Sequence, residues 1–216
     1  LLSLMVGEEV GLPEKAQETL LLAGSLADVG LVVIPDSFYL IDDELSRRAR
    51  NEVRKHPVYS RKISSHIFGP QHSVPRLVAE HHERSDGGGY PHGKTQEDLS
   101  PLSGILGSAD SYTAMIEDRT YRSSKLPDEA LSVLRDETSG LNEKPFESIT
   151  RVLGFYPNGS LVQLSDGTLA FVSRQTDDPR NPQVFVLTDA DRNRLDNPVK
   201  KDLPETNLEV NLLLRT

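Results

Sequence analysis

The sequence predicts a mainly helical protein that ends in a small antiparallel β unit. Through roughly the first two thirds of the 216 residues, apolar side chains recur at helical spacing, and beyond about residue 149 they switch to short alternating runs. Two of those runs flank Ser165-Asp166-Gly167, a tight-hairpin signal. A hydrophobic fraction of 36% beside a charged fraction of 26% suits a chain that buries a core of its own.

Residues 1–10 read as the tail of a helix, and Gly11-Leu12-Pro13-Glu14 as a turn that places Pro at the next helix start. Over 14–29, Leu20, Leu21, Leu22, Leu26 and Val29 keep helical spacing. Gly30 is placed to stop that helix, which leaves Asp28 in its last turn. A second helix is expected over 42–65, with acidic residues at its start that suit the helix dipole. It carries His56, and Pro57 kinks or restarts it. A third, over 74–83, ends in His81-His82. Ser100-Pro101 supplies an N-cap and a first-turn proline for a helix running to about 117. On it Leu102, Leu106, Asp110 and Ala114 form one stripe, where an aspartate is costly unless paired or bound to a metal. Strands are expected at 160–164, 168–174, 183–188 and 207–214. The expected organisation is thus a helical unit, 1–148, and a β unit, 149–216. Leu1 falls inside an apolar helical pattern, so the chain reads as part of a longer protein, incomplete at its N-terminal end.

Charge and composition exclude several classes of function. With 24 basic and 33 acidic residues the net charge is -9, which argues against DNA or RNA as a general partner, since binding a nucleic-acid backbone rests on many Lys and Arg contacts. A small anionic ligand held by a few local arginines stays compatible with it. The chain has no cysteine, so disulfides and thiolate metal sites are excluded, and any metal must sit on His and carboxylate ligands. Absence of cysteine fits the cytoplasm. No uninterrupted apolar run approaches bilayer length, so no membrane span is expected in this segment. The sequence carries no signal for oligomeric state.

The chemistry-bearing stretch is 80–122. It holds His81-His82-Glu83, the glycine-dense turn Asp86-Gly87-Gly88-Gly89-Tyr90-Pro91, then Asp110, then Arg119-Thr120-Tyr121-Arg122. Imidazoles, a buried carboxylate and guanidinium groups are the parts of a metal-dependent phosphoester site. Each also has a plain reading: a surface loop for the glycines, a solvated helix end for Arg119 and Arg122. His66, His72 and His92 stand alone and read as ordinary surface or core histidines. Neighbours on a helix point about 100° apart, so the His81 and His82 rings would serve two metals, or one metal and a substrate oxygen.

The segment from His81 to Gly93 resembles the HHExxDGxGYPxG signature of the HD-GYP family of cyclic di-GMP phosphodiesterases. Asp110 with Asp118-Arg119-Thr120-Tyr121-Arg122 is similar to that family's aspartate-bearing helix and its DRxYR, residues 23–36 to its LLHDIGKIGIPD segment, and His56-Pro57 to its His-Pro pair. The resemblance implies an HD-type helical bundle, metal ligands Asp28, His56, His81, His82 and Asp110, with Asp28 also catalytic, and iron or manganese as the divalent metal. It implies ligand contacts from Tyr90, stacking on a guanine, and from Arg119 and Arg122 on phosphate oxygens. Two departures stand out. Ala27 replaces the His of the name-giving pair, and Leu31 replaces the family's lysine. The remaining ligands then suffice for one metal site, so partial occupancy or none is expected. A leucine supplies neither proton nor charge to a leaving oxygen, a contribution typically worth two to four orders of magnitude. The reading is a degenerate HD-GYP domain that binds cyclic di-GMP or a protein partner of that signalling system and hydrolyses little or nothing. The alternatives are an active phosphodiesterase and a structural module without ligand.

Overall fold

The computed structural model describes residues 1–38, 46–117, 124–138 and 144–214. It divides the chain into two compact units, Leu1–Ser124 with Leu134–Phe146, and Lys125–Val133 with Glu147–Thr216. Most of the expected elements are present. Residues 1–10 give α1 (Leu2–Glu9), and α2 (Glu14–Leu26) starts directly after Pro13. The helix expected over 42–65 is two helices, α3 (Arg47–Val53) and α4 (His56–Phe68), so Pro57 restarts the chain by standing in the first turn of α4. Next come α5 (Ser73–Glu80) and α6 (Pro101–Ile116), whose N-cap Ser100 accepts the Leu102 amide. Two further helices, α7 (Pro127–Thr138) and α8 (Lys144–Leu153), were not expected from apolar spacing.

In the first unit α2 packs on α1, α5 and α6, and α4 packs on α5. Val6, Leu20, Ala23, Leu77, Val78, Leu106 and Tyr112 are buried there. The stretch Glu14–Val33 is long and apolar enough to cross a bilayer. It is, however, interrupted: α2 ends at Leu26 and a 3-10 turn covers Val29–Val33, and Leu20, Ala23, Ala27 and Gly30 face the protein interior.

A buried carboxylate fixes α5 against the glycine-rich loop and α6. Glu80 is 1% exposed. Its Oε1 accepts from Arg76 Nε at 2.9 Å and Lys94 Nζ at 2.8 Å, and its Oε2 from the Ser100 amide at 3.0 Å and Ser103 Oγ at 2.5 Å. One side chain thereby ties its own helix to the loop and to the start of α6. Burial alone would raise the Glu80 carboxyl, but the donors from Lys94, Ser103, Ser100 and Arg76 outweigh it and hold it at about 2. Gly107 on α6 lies close to the His81 carbonyl oxygen, where an added Cβ would stand 2.7 Å away, so α6 can lie against the end of α5 only without a side chain there.

The second unit contains a five-stranded antiparallel sheet in the order β4-β3-β2-β1-β5. Its strands are β1 (Leu161–Leu164), β2 (Leu169–Arg174), β3 (Gln183–Thr188), β4 (Arg194–Asp202) and β5 (Val210–Leu214). The turn at Ser165-Asp166-Gly167 is the expected hairpin, with Gly167 at φ +87° and Asp166 Oδ1 accepting both the Thr168 amide and its hydroxyl. Val162, Leu164, Ala170, Val172, Val184, Val186, Leu203 and Leu213 form its core. β4 escaped the sequence pattern because it is a mostly exposed edge strand carrying Asn197-Pro198 and two lysines, with no apolar alternation to see.

Because the folded Glu80 carboxyl sits near 2 against an ordinary value of 4.5, its stabilisation is complete above about pH 4.5 and is lost as pH falls from there toward 2. Glu80→Gln should therefore lower stability by about 2–4 kcal/mol at pH 7 and reduce the loss on acidification, both measurable by denaturant titration at a series of pH values.

Candidate metal centre

Asp28 is held in place by a glycine. Beyond Leu26 the chain passes Ala27 and Asp28 (φ -99°, ψ 4°) into the 3-10 turn Val29–Val33, which lies on the start of α4. The Gly30 amide donates to Ser60 Oγ at 2.7 Å, and an added Cβ at Gly30 would overlap the His56 carbonyl oxygen and the Ser60 amide. Gly30 thus permits a close approach between two segments inside the 3-10 turn, rather than standing at the end of α2 as the sequence suggested. Asp28 lies just past the helix, not in its last turn, and this approach sets its carboxylate beside His56.

Three acceptor atoms then converge. Asp28 Oδ1 is 3.1 Å from His56 Nε2 and 3.9 Å from His81 Nε2, and the two Nε2 atoms are 3.2 Å apart. The far side of each ring faces a carbonyl: His56 Nδ1 donates to Val53 O at 2.8 Å and His81 Nδ1 to Val78 O at 2.7 Å. A carbonyl can only accept, so in the neutral rings the protons are on Nδ1 and both Nε2 lone pairs face each other and the carboxylate. That arrangement is repulsive unless a proton or a metal cation sits among the three atoms. Burial pushes His81 down to about 4, so it does not supply that proton at neutral pH. When a proton sits on His56 Nε2, the hydrogen bond it makes to Asp28 keeps that carboxyl below its ordinary range, against the opposing effect of burial. The residues present therefore fit a divalent cation held by two imidazoles and a carboxylate, each ring oriented by a carbonyl behind it.

His82 adjoins this centre. One ligand atom from each of Asp28, His56, His81 and His82 lies within 4.8 Å of the others, which makes them a candidate metal-binding group among the described residues. The two adjacent histidines lie just past α5, outside the regular helix that the sequence placed them in. Their ring centroids are 4.0 Å apart, with the planes tilted by 40°. His82 Nδ1 is also 3.5 Å from Asp110 Oδ2 on α6, which brings in the fifth expected ligand through His82. Burial first, then the neighbouring His81 and His56, push His82 down to about 2.

The glycine-rich loop folds back onto the histidines. The buried Glu83 carboxylate accepts the His92 amide at 2.7 Å and the Lys94 amide at 2.9 Å. At Gly89 an added Cβ would overlap the backbone of Glu83 and Arg84, so the loop crosses its own start at contact distance. Arg84 donates to the Glu83 carbonyl and to Ser111 Oγ on α6. Tyr90, expected to stack on a guanine, is stacked here on His82, with centroids 4.6 Å apart and planes 29° apart. Arg54 lies over the same tyrosine, 5.0 Å from its centroid. Burial and then Asp110 push the Tyr90 phenol up to about 12, so it stays protonated. Arg119 and Arg122 lie outside the described residues. Sequence reasoning assigned no role to Glu83, Arg84 or Arg54. For Glu83 the signal was its place directly after the histidine pair, whereas Arg54 becomes visible only once its side chain is placed over Tyr90.

Ala27, where the resemblance expects a histidine, is buried at the end of α2, and its methyl group cannot ligate a metal. Leu31, in place of the lysine, is half-buried in the 3-10 turn. A family profile described as HD domain matches residues 1–140. The chain belongs to the HD domain family. The histidine pair and the glycine-tyrosine-proline turn identify it as an HD-GYP member. A cyclic di-GMP phosphodiesterase of Pseudomonas aeruginosa is 29% identical over 174 residues, covering 81% of this chain and 42% of that one. A 3'3'-cGAMP-specific phosphodiesterase of Vibrio cholerae is 30% identical over 148 residues, covering 68% and 34%. This HD domain protein thus spans less than half the length of either relative. Among solved structures, an HDG"Y"P protein of Bdellovibrio bacteriovorus shares the fold, with a TM-score of 0.56 at 21% identity over 68% of this chain and 47% of that one.

Purified protein should hold at most about one transition-metal ion per chain, because one set of converging ligands is present among the described residues. Elemental analysis after gel filtration measures this, and two or more tightly held ions would contradict it. His56→Ala and His81→Ala should each release the ion. A variant at Gly30, Gly30→Ala, should do so without replacing any ligand residue, since it forces the turn bearing Asp28 away from α4.

Proposed function

We propose that this is a degenerate HD-GYP domain that binds cyclic di-GMP, in the cytoplasm, as a ligand rather than as a substrate it turns over efficiently. The carrying observation is the contrast between one well-formed ligand set and the side chains beside it: Asp28, His56 and His81 converge, whereas Ala27 and Leu31 offer neither a ligand nor a proton. A bound divalent ion, with iron or manganese the proposed identity, supplies positive charge for a phosphodiester oxygen. Hydrolysis by two ions clamps both the attacking and the leaving oxygen, so a ligand lost from one of two sites harms the reaction more than it harms the fold. The relatives support the ligand class, since they are named for cyclic dinucleotide phosphodiesterases. In this reading Arg119 and Arg122 hold phosphate oxygens, and the bound state is read out by a protein partner of the same signalling system.

The His82–Asp110 pair favours a second reading. At 3.5 Å, partly exposed and next to Asp28, it retains part of a further ligand set. Should residues outside the described ones complete it, the domain is an active phosphodiesterase. A structural module without ligand is the remaining alternative, and it predicts neither turnover nor binding.

With iron or manganese added, turnover of cyclic di-GMP should stay near background, while Arg119→Ala should weaken binding by roughly tenfold. Ala27→His with Leu31→Lys should raise hydrolysis when tested in the longest version of the protein. Chromatographic detection of the linear dinucleotide or GMP, with 3'3'-cGAMP run in parallel, decides the matter. Robust turnover by the unmodified domain, abolished by Asp28→Ala, would establish the active reading instead.

A further inference from the structure

We propose that Arg54 is a phosphate-binding residue of this centre, and that the exposed basic residues clustered on α3 and α4 around it draw in a doubly negative cyclic dinucleotide. The inference rests on the nucleotide-binding reading given above and adds to it a residue and a direction of approach.

Three observations carry it. The first is charge. Between Ser46 and Lys62, seven Lys and Arg side chains stand against one acid, Glu52, a local balance of +6. The other residues of the chain, with 17 basic and 32 acidic side chains, then carry -15. Arg47, Arg48, Arg50, Arg54, Arg61 and Lys62 are all exposed. An acidic protein that concentrates cations on the two helices leading into its metal centre presents an attractive field to an anion at that place.

The second is position. Arg54 stands two residues before the ligand His56, whose ring donates to the carbonyl of Val53, so the chain carrying the guanidinium is tied to the chain carrying the ligand. The guanidinium carbon lies 5.0 Å from the centroid of Tyr90, and that ring is stacked on His82 and stands 6.4 Å from the ring of His56. A planar cation on an aromatic ring loses little freedom when it binds, because the ring has already oriented its fork.

The third is availability. Neighbouring Lys55 is engaged by Glu52 at 2.8 Å. Among the described residues the Arg54 guanidinium has neither an ion pair nor a hydrogen bond, and it lies over the face of Tyr90. Its donors are thus open to a ligand, and Arg54 takes over on this side of the centre the positive charge that Leu31 does not provide. A guanidinium presents paired N–H groups at the spacing of two phosphate oxygens, which a lysine cannot match.

The test uses the whole chain, loaded with manganese, and equilibrium titration with cyclic di-GMP at several salt concentrations. Arg54→Ala should raise Kd roughly tenfold to a hundredfold and weaken the dependence of Kd on salt, with metal content and melting temperature unchanged. Arg54→Lys, which keeps the charge but not the fork, should restore the salt dependence and only part of the affinity. Wild-type affinity in Arg54→Ala would overturn this inference and leave the nucleotide-binding reading intact. A loss of affinity that comes with loss of metal would also overturn it, showing that Arg54 only props Tyr90 over the centre. An unmodified protein that does not bind cyclic di-GMP would overturn the nucleotide-binding reading, and this inference with it.

Discussion

The two adjacent histidines of the metal centre depend on a carboxylate that does not belong to it. Glu80 has no access to water and receives four donors from its own helix, the glycine-rich loop and the start of α6. The next two residues in the chain are the two histidines. A buried charge with a full set of partners is rigid because any displacement strands it, at a cost of several kcal/mol. The direction in which His81 and His82 leave α5 is therefore fixed before any ligand arrives. Glu83, also buried, repeats the device three residues later by holding the amides of His92 and Lys94.

The centre built on that frame is preorganised for a cation. The carbonyls of Val53 and Val78 each accept a hydrogen bond from an Nδ1–H and so turn an Nε2 lone pair toward Asp28, and the repulsion left in that pocket is what a metal relieves. The folding energy that forces these acceptors together is supplied elsewhere, by the packing of α2, α4 and α5 and by the contact of Gly30 with α4. The departures at Ala27 and Leu31 do not disturb this packing, because a buried alanine and a half-buried leucine suit a helix end and a turn. Chemistry can therefore be lost here while the fold and a binding surface persist.

Much of this was legible along the chain. The helices and the hairpin at Ser165-Asp166-Gly167 come from local spacing and turn chemistry, which act over a few residues, and the ligand candidates Asp28, His56, His81 and His82 from the resemblance to the HD-GYP family. Two helices and the edge strand β4 were not legible. The strand is held by its neighbour and not by an apolar pattern of its own. The role of Gly30 was misread for a related reason: sequence shows a glycine after a helix but not the backbone 30 residues later that presses against it.

The sequence by itself determined the inventory: which residues can ligate, which two positions cannot, and a net acidic chain without thiols. Only the tertiary structure decided the arrangement. It alone joined Asp28 to His56 across Gly30 and turned both rings of the histidine pair toward one centre. It also gave Tyr90 to His82 as a stacking partner and set Arg54 over that tyrosine. The physical reason is that ligation and stacking depend on distances of a few ångströms between atoms far apart in sequence. Those distances are fixed by buried ion pairs and close backbone contacts, which leave no periodic trace in the chain.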